Sequence, residues 1–118
     1  MAGGAGFIGS HLVQRLVFQG HRSIIVLDNL SRGCTANLAA VWDSIHFVSG
    51  DIRDRHALER LVQNTDLIFH LAAQSNVIGA VEDVDYSSST NIVGTAGILQ
   101  AARAARVRRV VFTSSREV

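Results

Sequence analysis

The chain has 118 residues, of which 47% are hydrophobic and 18% are charged, and its formal net charge is +1. This composition excludes an extensively disordered chain, and the charge gives no general reason to expect a nucleic acid or an anionic membrane as partner. No apolar run approaches the ~18 residues of a membrane-spanning helix, and the one cysteine, Cys34, cannot form an internal disulfide. We therefore expect a single domain in a reducing compartment, the cytoplasm.

The first half of the chain alternates helix and strand patterns. Apolar residues at helical spacing over Ser10–Gln19 predict an amphipathic helix, which Gly20 ends. The β-branched run Ser23–Asp28 is typical of a strand that is buried on both faces. A short helix over Leu38–Trp42 and a short strand over His46–Ser49 complete this half.

The second half continues the alternation. The patterns predict a helix over Arg55–Gln63, a buried strand over Asp66–Leu71, a long helix over Tyr86–Ala105 and a strand over Val107–Ser114. Strands that alternate with helices favour right-handed crossovers. The predicted fold is therefore α/β, with a parallel sheet that carries helices on its faces.

The predicted sheet lacks the strand with which such folds begin. Only Met1 and Ala2 precede the first glycines, whereas a strand normally leads into the glycine turn and lies at the centre of the sheet. We expect a gap at this place, with unpaired edges on the strands Ser23–Asp28 and Asp66–Leu71. We therefore expect this sequence to be the N-terminal part of a longer enzyme, from which the first residues and the C-terminal part are missing.

Gly3, Gly6 and Gly9 lie directly before the first predicted helix. Glycines at this spacing let the backbone turn tightly and approach a pyrophosphate, which the N–H groups of a helix N-terminus then bind. Asp28 follows Gly9 by 19 positions (28 − 9), at the end of the next strand, where a carboxylate can accept hydrogen bonds from an adenosine ribose. It would repel the 2′-phosphate of NADP, so NAD is the expected cofactor, although Arg32 would weaken this preference. The alternative for Asp28 is a solvated strand-end carboxylate.

Six segments in succession resemble the motifs of one family, the NAD-dependent epimerase/dehydratase family of extended short-chain dehydrogenases. They cover the whole chain in the family's order and comprise Gly3–Ser10, Asp28–Ser31, Gly50–Asp54, His70–Gln74, Asn91–Thr95 and Thr113–Ser115. The resemblance implies a doubly wound, Rossmann-type sheet that is partial here, because the first central strand and the C-terminal part are missing. Residues 1–118 would then be a partial NAD-binding domain without the substrate domain.

The resemblance also implies roles for individual residues. The glycine turn would bind the pyrophosphate, the residues after the first predicted strand the adenosine ribose, and the residues after the second the adenine. Ser115 would be the catalytic residue, through a hydrogen bond to the reacting sugar hydroxyl. The implied cofactor-binding residues are Gly3, Gly6, Phe7, Ile8, Gly9, Asp28, Asn29, Asp51, Ile52, Leu71, Ala72, Ala73 and Asn91. For Asn91 the alternative is that its amide holds neighbouring backbone groups.

The implied activity is that of a nucleotide-sugar epimerase or dehydratase, in which NAD takes a hydride transiently from a sugar carbon. In this family a tyrosine in a Tyr-x-x-x-Lys pair removes the hydroxyl proton. All eleven basic residues here are arginines, and the one tyrosine, Tyr86, is followed by serines. We therefore expect the 118 residues alone to be inactive, and the full-length enzyme to bind a nucleotide sugar and to be capable of forming a homodimer.

Two other functions stay open at this point: a non-catalytic dinucleotide-binding module, and an NAD(P)-dependent reductase of the same superfamily. The arginines between Arg103 and Arg109 are interpreted as complements to a helix C-terminus, since no aromatic residues are interleaved with them for nucleic-acid binding. The five histidines share no metal-ligand spacing, so no metal site is expected, and His70 is expected to be packed rather than catalytic.

Overall fold

The computed structural model describes residues 1–115, which form an α/β fold with two pairs of parallel strands. Strand β1 (Ile24–Asp28) pairs with β2 (Ile45–Ser49), and β3 (Leu67–His70) pairs with β4 (Arg109–Phe112). Each strand is a short β-branched or aromatic run, as the sequence predicts. Parallel neighbours require crossover connections, and helices provide them here.

The helical segments of the first half differ in how they begin, and only the last of them has a side-chain cap. Helix α1 spans Phe7–Phe18 and starts three residues before the predicted boundary, because the glycine turn itself leads into the helix at Gly6. A 3₁₀ helix over Thr35–Ser44 replaces the shorter predicted helix. Helix α2 spans Arg55–Leu61 and is capped by Asp54, whose carboxylate accepts a hydrogen bond from the Ala57 N–H at 3.0 Å.

The helical segment after β3 is more divided than predicted. A short helix, α3 (Val77–Glu82), was not predicted, and α4 (Val84–Ser88) follows it directly. The chain then passes through a π-helical turn, Ser89–Gly94, into α5 (Thr95–Ala104). The backbone stays in the right-handed helical region at both junctions, so α4, the π turn and α5 form one continuous helix close to the predicted range.

Met1, Ala2 and Gly3 close the carboxyl end of the predicted gap. Ala2 forms parallel bridges to both Leu27 and His70, so a remnant of the central strand is present although no full strand is. Its N–H donates to the Phe69 carbonyl oxygen at 2.9 Å, and the Gly3 N–H donates to that of Leu27 at 2.9 Å. Behind this remnant, the amino-terminal halves of β1 and β3 face an apolar cleft of about 700 Å³, which is the expected gap.

Two apolar cores lie on opposite faces of the sheet. One core joins the sheet to α2 and α5, and the other joins it to α1 and the 3₁₀ helix. Helix α5 contributes Ile98, which is 2% exposed, and α1 contributes Val13, which is fully buried. This arrangement with helices on both faces leaves the carboxyl ends of all four strands at one edge, where ligands bind in open α/β sheets.

His70 is packed, as predicted, at the end of β3. Its side chain is buried, its Nε2 lies 2.9 Å from the Thr95 hydroxyl oxygen, and its ring is 5.3 Å from that of Phe112. Its Nδ1 has no hydrogen-bond partner within residues 1–115. Burial lowers the pKa of His70, since the charged imidazolium is poorly solvated there.

The buried imidazole predicts a pH-dependent stability. A pKa that is lower in the folded state than the ~6.5 of an unfolded chain means that the unfolded state binds more protons. The contribution of the neutral His70 imidazole to the free energy of unfolding is therefore complete above about pH 6.5. It is lost as the pH falls towards the folded-state pKa. We expect the free energy of unfolding, measured by urea denaturation, to fall from pH 7 to pH 5 less steeply in His70→Gln than in the wild-type chain.

His56→Gln is the matched control, because the His56 side chain is 89% exposed. It should keep the wild-type slope. The Met1 ammonium, whose pKa burial lowers to about 6, contributes equally to all three proteins. Identical slopes in the wild type and His70→Gln would contradict the assignment of a neutral, buried His70.

Gly3 lies where the glycine turn crosses the end of β3. Its φ is +79°, and a Cβ at this position would be 2.6 Å from the Ala72 nitrogen. Gly20, after α1, has a similar φ of +84°, but a Cβ there would meet no atom within 4 Å. The two glycines therefore share a backbone conformation and differ in crowding. At Gly3, unlike at Gly20, the absence of a Cβ is what allows the turn to lie so close to the Leu71–Ala73 loop.

This difference is measurable by paired substitutions. Gly20→Ala should cost about 1 kcal/mol, from the left-handed backbone alone. Gly3→Ala should cost at least about 3 kcal/mol, because the methyl group would also displace backbone atoms. Urea denaturation of both variants measures these costs, and equal destabilisation would contradict the tight crossing at Gly3.

Candidate cofactor-binding cleft

The carboxyl ends of the strands and the glycine turn enclose a cleft of about 330 Å³. Every cofactor-binding residue that the resemblance implies lines this cleft except Asn91. Those that line it are Gly3, Gly6, Phe7, Ile8, Gly9, Asp28, Asn29, Asp51, Ile52, Leu71, Ala72 and Ala73. Residues that are far apart in sequence thus meet at one site, although their individual roles stay predictions.

The glycine turn leaves the N-terminus of α1 open towards the cleft. Gly6, the residue before the helix, has no side chain to cap the first turn. A Cβ at Gly9 would lie 2.1 Å from the Gly3 carbonyl oxygen, so the turn can close only without one. The first backbone N–H groups of α1 and the helix dipole are therefore available to an anion such as a pyrophosphate.

Asp28 connects the end of β1 to the glycine turn. Its side chain is largely buried, with 9% exposed, which differs from the solvated carboxylate considered as the alternative. Its Oδ2 accepts a hydrogen bond from the Ala5 N–H at 2.8 Å, and its Oδ1 accepts one from the Leu30 N–H at 2.9 Å. Since a carboxylate oxygen has two acceptor sites, the contacts within residues 1–115 leave one site on each oxygen for a ligand hydroxyl.

Asn29 and Asp51 lie side by side at the ends of β1 and β2. The Asn29 Nδ2 donates to the Asp51 Oδ2 at 3.2 Å, while its Oδ1 accepts the Ser31 N–H at 3.1 Å. Arg53 donates to both carboxylate oxygens of Asp51, and this contact is the main reason that the pKa of Asp51 is lowered to about 2. Asp51 is therefore an ionised acceptor across the physiological pH range.

The π-helical turn presents two neighbouring polar side chains differently. Thr90 lines the cleft, and its buried hydroxyl has no hydrogen-bond partner within residues 1–115. Asn91 instead holds the loop after β3, because its Oδ1 accepts the Gln74 N–H at 2.8 Å and its Nδ2 donates to the Gln74 carbonyl oxygen at 3.0 Å. π turns are frequent at functional sites, but a single sequence shows no pattern that distinguishes one from an α-helix.

Several cleft residues were not assigned to the site from the sequence, including Thr113, although it begins one of the recognised segments. Tyr86 and Thr90 reach the cleft from the helix after β3, and Ser75 and Thr113 lie after β3 and β4. Ser115, the predicted catalytic residue, is exposed two positions beyond Thr113. The position of Thr90, directly before Asn91 of a recognised motif, is the one signal that could have indicated it.

Within residues 1–115, no three His, Cys, Asp or Glu side chains are grouped so that they could hold a metal ion. None of the helices there is both long enough and apolar enough to cross a membrane.

Known proteins resemble this chain over nearly its full length. It is 45% identical to the UDP-glucose 4-epimerase of Mycolicibacterium smegmatis, an alignment that covers 98% of this chain and 37% of that protein. Among solved structures, the dTDP-glucose 4,6-dehydratase DesIV of Streptomyces venezuelae, with NAD bound, has a TM-score of 0.87 and 42% identity over 92% of this chain and 36% of its own.

A second solved structure, the UDP-glucose 4-epimerase of Thermus thermophilus in complex with NAD, has a TM-score of 0.88 and 37% identity. It covers 97% of this chain and 36% of its own, so the chain spans little more than a third of the length of these relatives. The model of the NAD dependent epimerase/dehydratase family matches residues 1–118. The chain therefore belongs to the NAD-dependent epimerase/dehydratase family.

Proposed function

We propose that this chain binds NAD and forms the cofactor-binding part of a nucleotide-sugar epimerase or dehydratase. The observation that carries the proposal is the single cleft in which the glycine turn, Asp28, Asp51 and the Leu71–Ala73 loop meet. The relatives named above act on UDP- and dTDP-sugars, which makes a nucleotide sugar the proposed substrate class.

The residues present fit a dinucleotide. The uncapped start of α1 would hold the pyrophosphate, and the free acceptor sites of Asp28 would take the hydroxyls of the adenosine ribose. Asp51 would accept from the exocyclic amine of adenine, beside the apolar side chain of Ile52. The Thr90 hydroxyl is buried in the wall of the cleft and has no hydrogen-bond partner among the described residues 1–115. It also favours a polar ligand, because such groups rarely stay unsatisfied.

The chemistry would require residues beyond those in this chain. Bound NAD supplies a hydride acceptor for the sugar carbon, and Ser115 would orient the reacting hydroxyl by a hydrogen bond. The 118 residues contain no lysine, so they cannot supply the Tyr-x-x-x-Lys pair whose tyrosine would remove the proton. We therefore propose that the chain alone binds the cofactor without turning over a sugar, which is also what a non-catalytic binding module would do.

A cytoplasmic homodimer is the proposed state of the full-length enzyme. The continuous helix from α4 to α5 exposes several apolar side chains, among them Ile92 (69% exposed) and Leu99 (50% exposed). A second copy of the same helix would bury these side chains, since an exposed apolar face is typical of a protein interface.

Cofactor binding by the purified chain tests the proposed function. We expect isothermal titration calorimetry to show NAD binding, and NADP binding at least tenfold weaker, because the 2′-phosphate would approach the Asp28 carboxylate. Asp28→Asn removes that charge and should reduce the ratio of the NADP to the NAD dissociation constant. Asp54→Asn makes the same charge change at the start of α2, outside the residues that line the cleft, and should leave the ratio unchanged.

Two results would contradict the proposal. Absence of NAD binding by a folded wild-type chain would exclude the cofactor function. Equal or tighter binding of NADP would instead favour the NAD(P)-dependent reductase. Circular dichroism of each variant verifies the fold, because Asp28 also accepts the Ala5 N–H.

A further inference from the structure

Arg53 holds the Asp51 carboxylate with three donors. Its backbone N–H and its Nε both donate to Oδ1 at 2.9 Å, and its Nη2 donates to Oδ2 at 2.7 Å. The planar guanidinium thus contacts both oxygens at once, which fixes the orientation of the carboxylate as well as its position. A lysine, with one compact ammonium group, could not reproduce this two-point contact.

The same guanidinium also contacts the helix after β3. Its central carbon lies 4.7 Å from the centre of the Tyr86 ring, and its Nη1 donates to the Ser89 hydroxyl at 3.3 Å. Tyr86 and Asp51 both line the cleft, but Asp51 follows β2 of one strand pair, whereas Tyr86 lies in α4, between the two strands of the other pair. Arg53 therefore links the two halves of the fold directly beside the candidate adenine site.

Stability does not explain this arrangement well. The side chains of Arg53 and Asp51 are 37% and 26% exposed, and ion pairs so close to solvent contribute little to folding. What the contact does determine is the orientation of the acceptor. Both oxygens of Asp51, which lines the cleft, are held in fixed directions by donors of Arg53.

One of the four hydrogen bonds to Asp51 can be exchanged. A carboxylate has about four acceptor sites, and Arg53 fills three of them while the Asn29 amide fills the fourth. The Asn29 contact is the longest of the four, at 3.2 Å, and its donor is a neutral amide. A ligand amine would therefore replace Asn29 rather than Arg53, and Asn29 would be released for the neighbouring ribose.

We propose that Arg53 is a positioning residue for base recognition, which presents Asp51 to the exocyclic amine of adenine while its stacking on Tyr86 keeps it in place. This inference rests on the proposed function. It makes Arg53 and Tyr86 the determinants of a preference for a 6-amino purine over a 6-oxo purine, because an ionised carboxylate accepts from an amine and repels a carbonyl oxygen.

The test compares NAD with nicotinamide hypoxanthine dinucleotide, in which a 6-oxo group replaces the amine. Calorimetric titration of the wild-type chain should show NAD binding about tenfold or more tighter, as expected for a hydrogen bond to a charged acceptor. In Arg53→Gln this preference should fall to within about threefold, mainly through weaker NAD binding. Arg53→Lys should be intermediate, because the charge remains while the two-point contact is lost.

Tyr86 provides a second pair of variants. Tyr86→Phe keeps an aromatic face for the guanidinium and should keep the base preference, whereas Tyr86→Leu should reduce it. Arg60→Gln, an equivalent charge change at the exposed end of α2, is the matched control and should behave as the wild type. An independent readout is the carboxyl ¹³C chemical shift of Asp51, whose titration midpoint should rise from about 2 in Arg53→Gln.

The outcomes separate the two proposals. If the wild-type chain binds neither dinucleotide, the proposed function fails and this inference fails with it. If the chain binds NAD but Arg53→Gln retains the wild-type base preference, or loses affinity for both dinucleotides equally, the inference alone is overturned and Arg53 is merely structural. Thermal denaturation should show only a small change for Arg53→Gln, which verifies that the variant is folded.

Discussion

The two strand pairs of this fold are joined through the backbone of Met1, Ala2 and Gly3. These residues donate to β1 on one side and β3 on the other, with hydrogen bonds of 2.6 to 2.9 Å from their nitrogens to the Ile25, Leu27 and Phe69 carbonyl oxygens. Backbone pairing of this kind sets the spacing of neighbouring strands at about 4.8 Å. The three residues consequently set the distance between the carboxyl ends of β1 and β3, and the glycine turn leaves the sheet between these two strands.

The cleft follows from that separation. Gly3 emerges between the strands, and the absence of a side chain lets the turn pass within contact of Ala72. Asp28 then fastens the turn from the other side through the Ala5 N–H, so the start of α1 has a fixed direction. Backbone atoms and one buried carboxylate thus determine the anion-binding end, while longer side chains from more distant segments shape the adenine end.

Local patterns predicted the local parts of this structure. The glycine spacing and the buried runs around Val26 and Ile68 each depend on a few neighbouring residues, and the packing of His70 was predicted from its place at the end of the second run. The π turn at Thr90, the short helix α3 and the contact of Arg53 with Tyr86 depend on partners from other segments, and no single-sequence pattern encodes them. The bridging by Ala2 was missed for the same reason, because one paired residue leaves no periodicity.

The contact between Asn91 and Gln74 has a consequence for how the loop after β3 can vary. The asparagine amide exchanges two hydrogen bonds with the main chain of residue 74, as another peptide group would. Asn91 therefore contacts the backbone of the loop at this position and not its side chain. Any residue other than proline could replace Gln74 and keep both hydrogen bonds to Asn91. Because the contact is made by backbone atoms, the side chains of the loop, and the groups that they contact, can change while the shape of the cleft is retained.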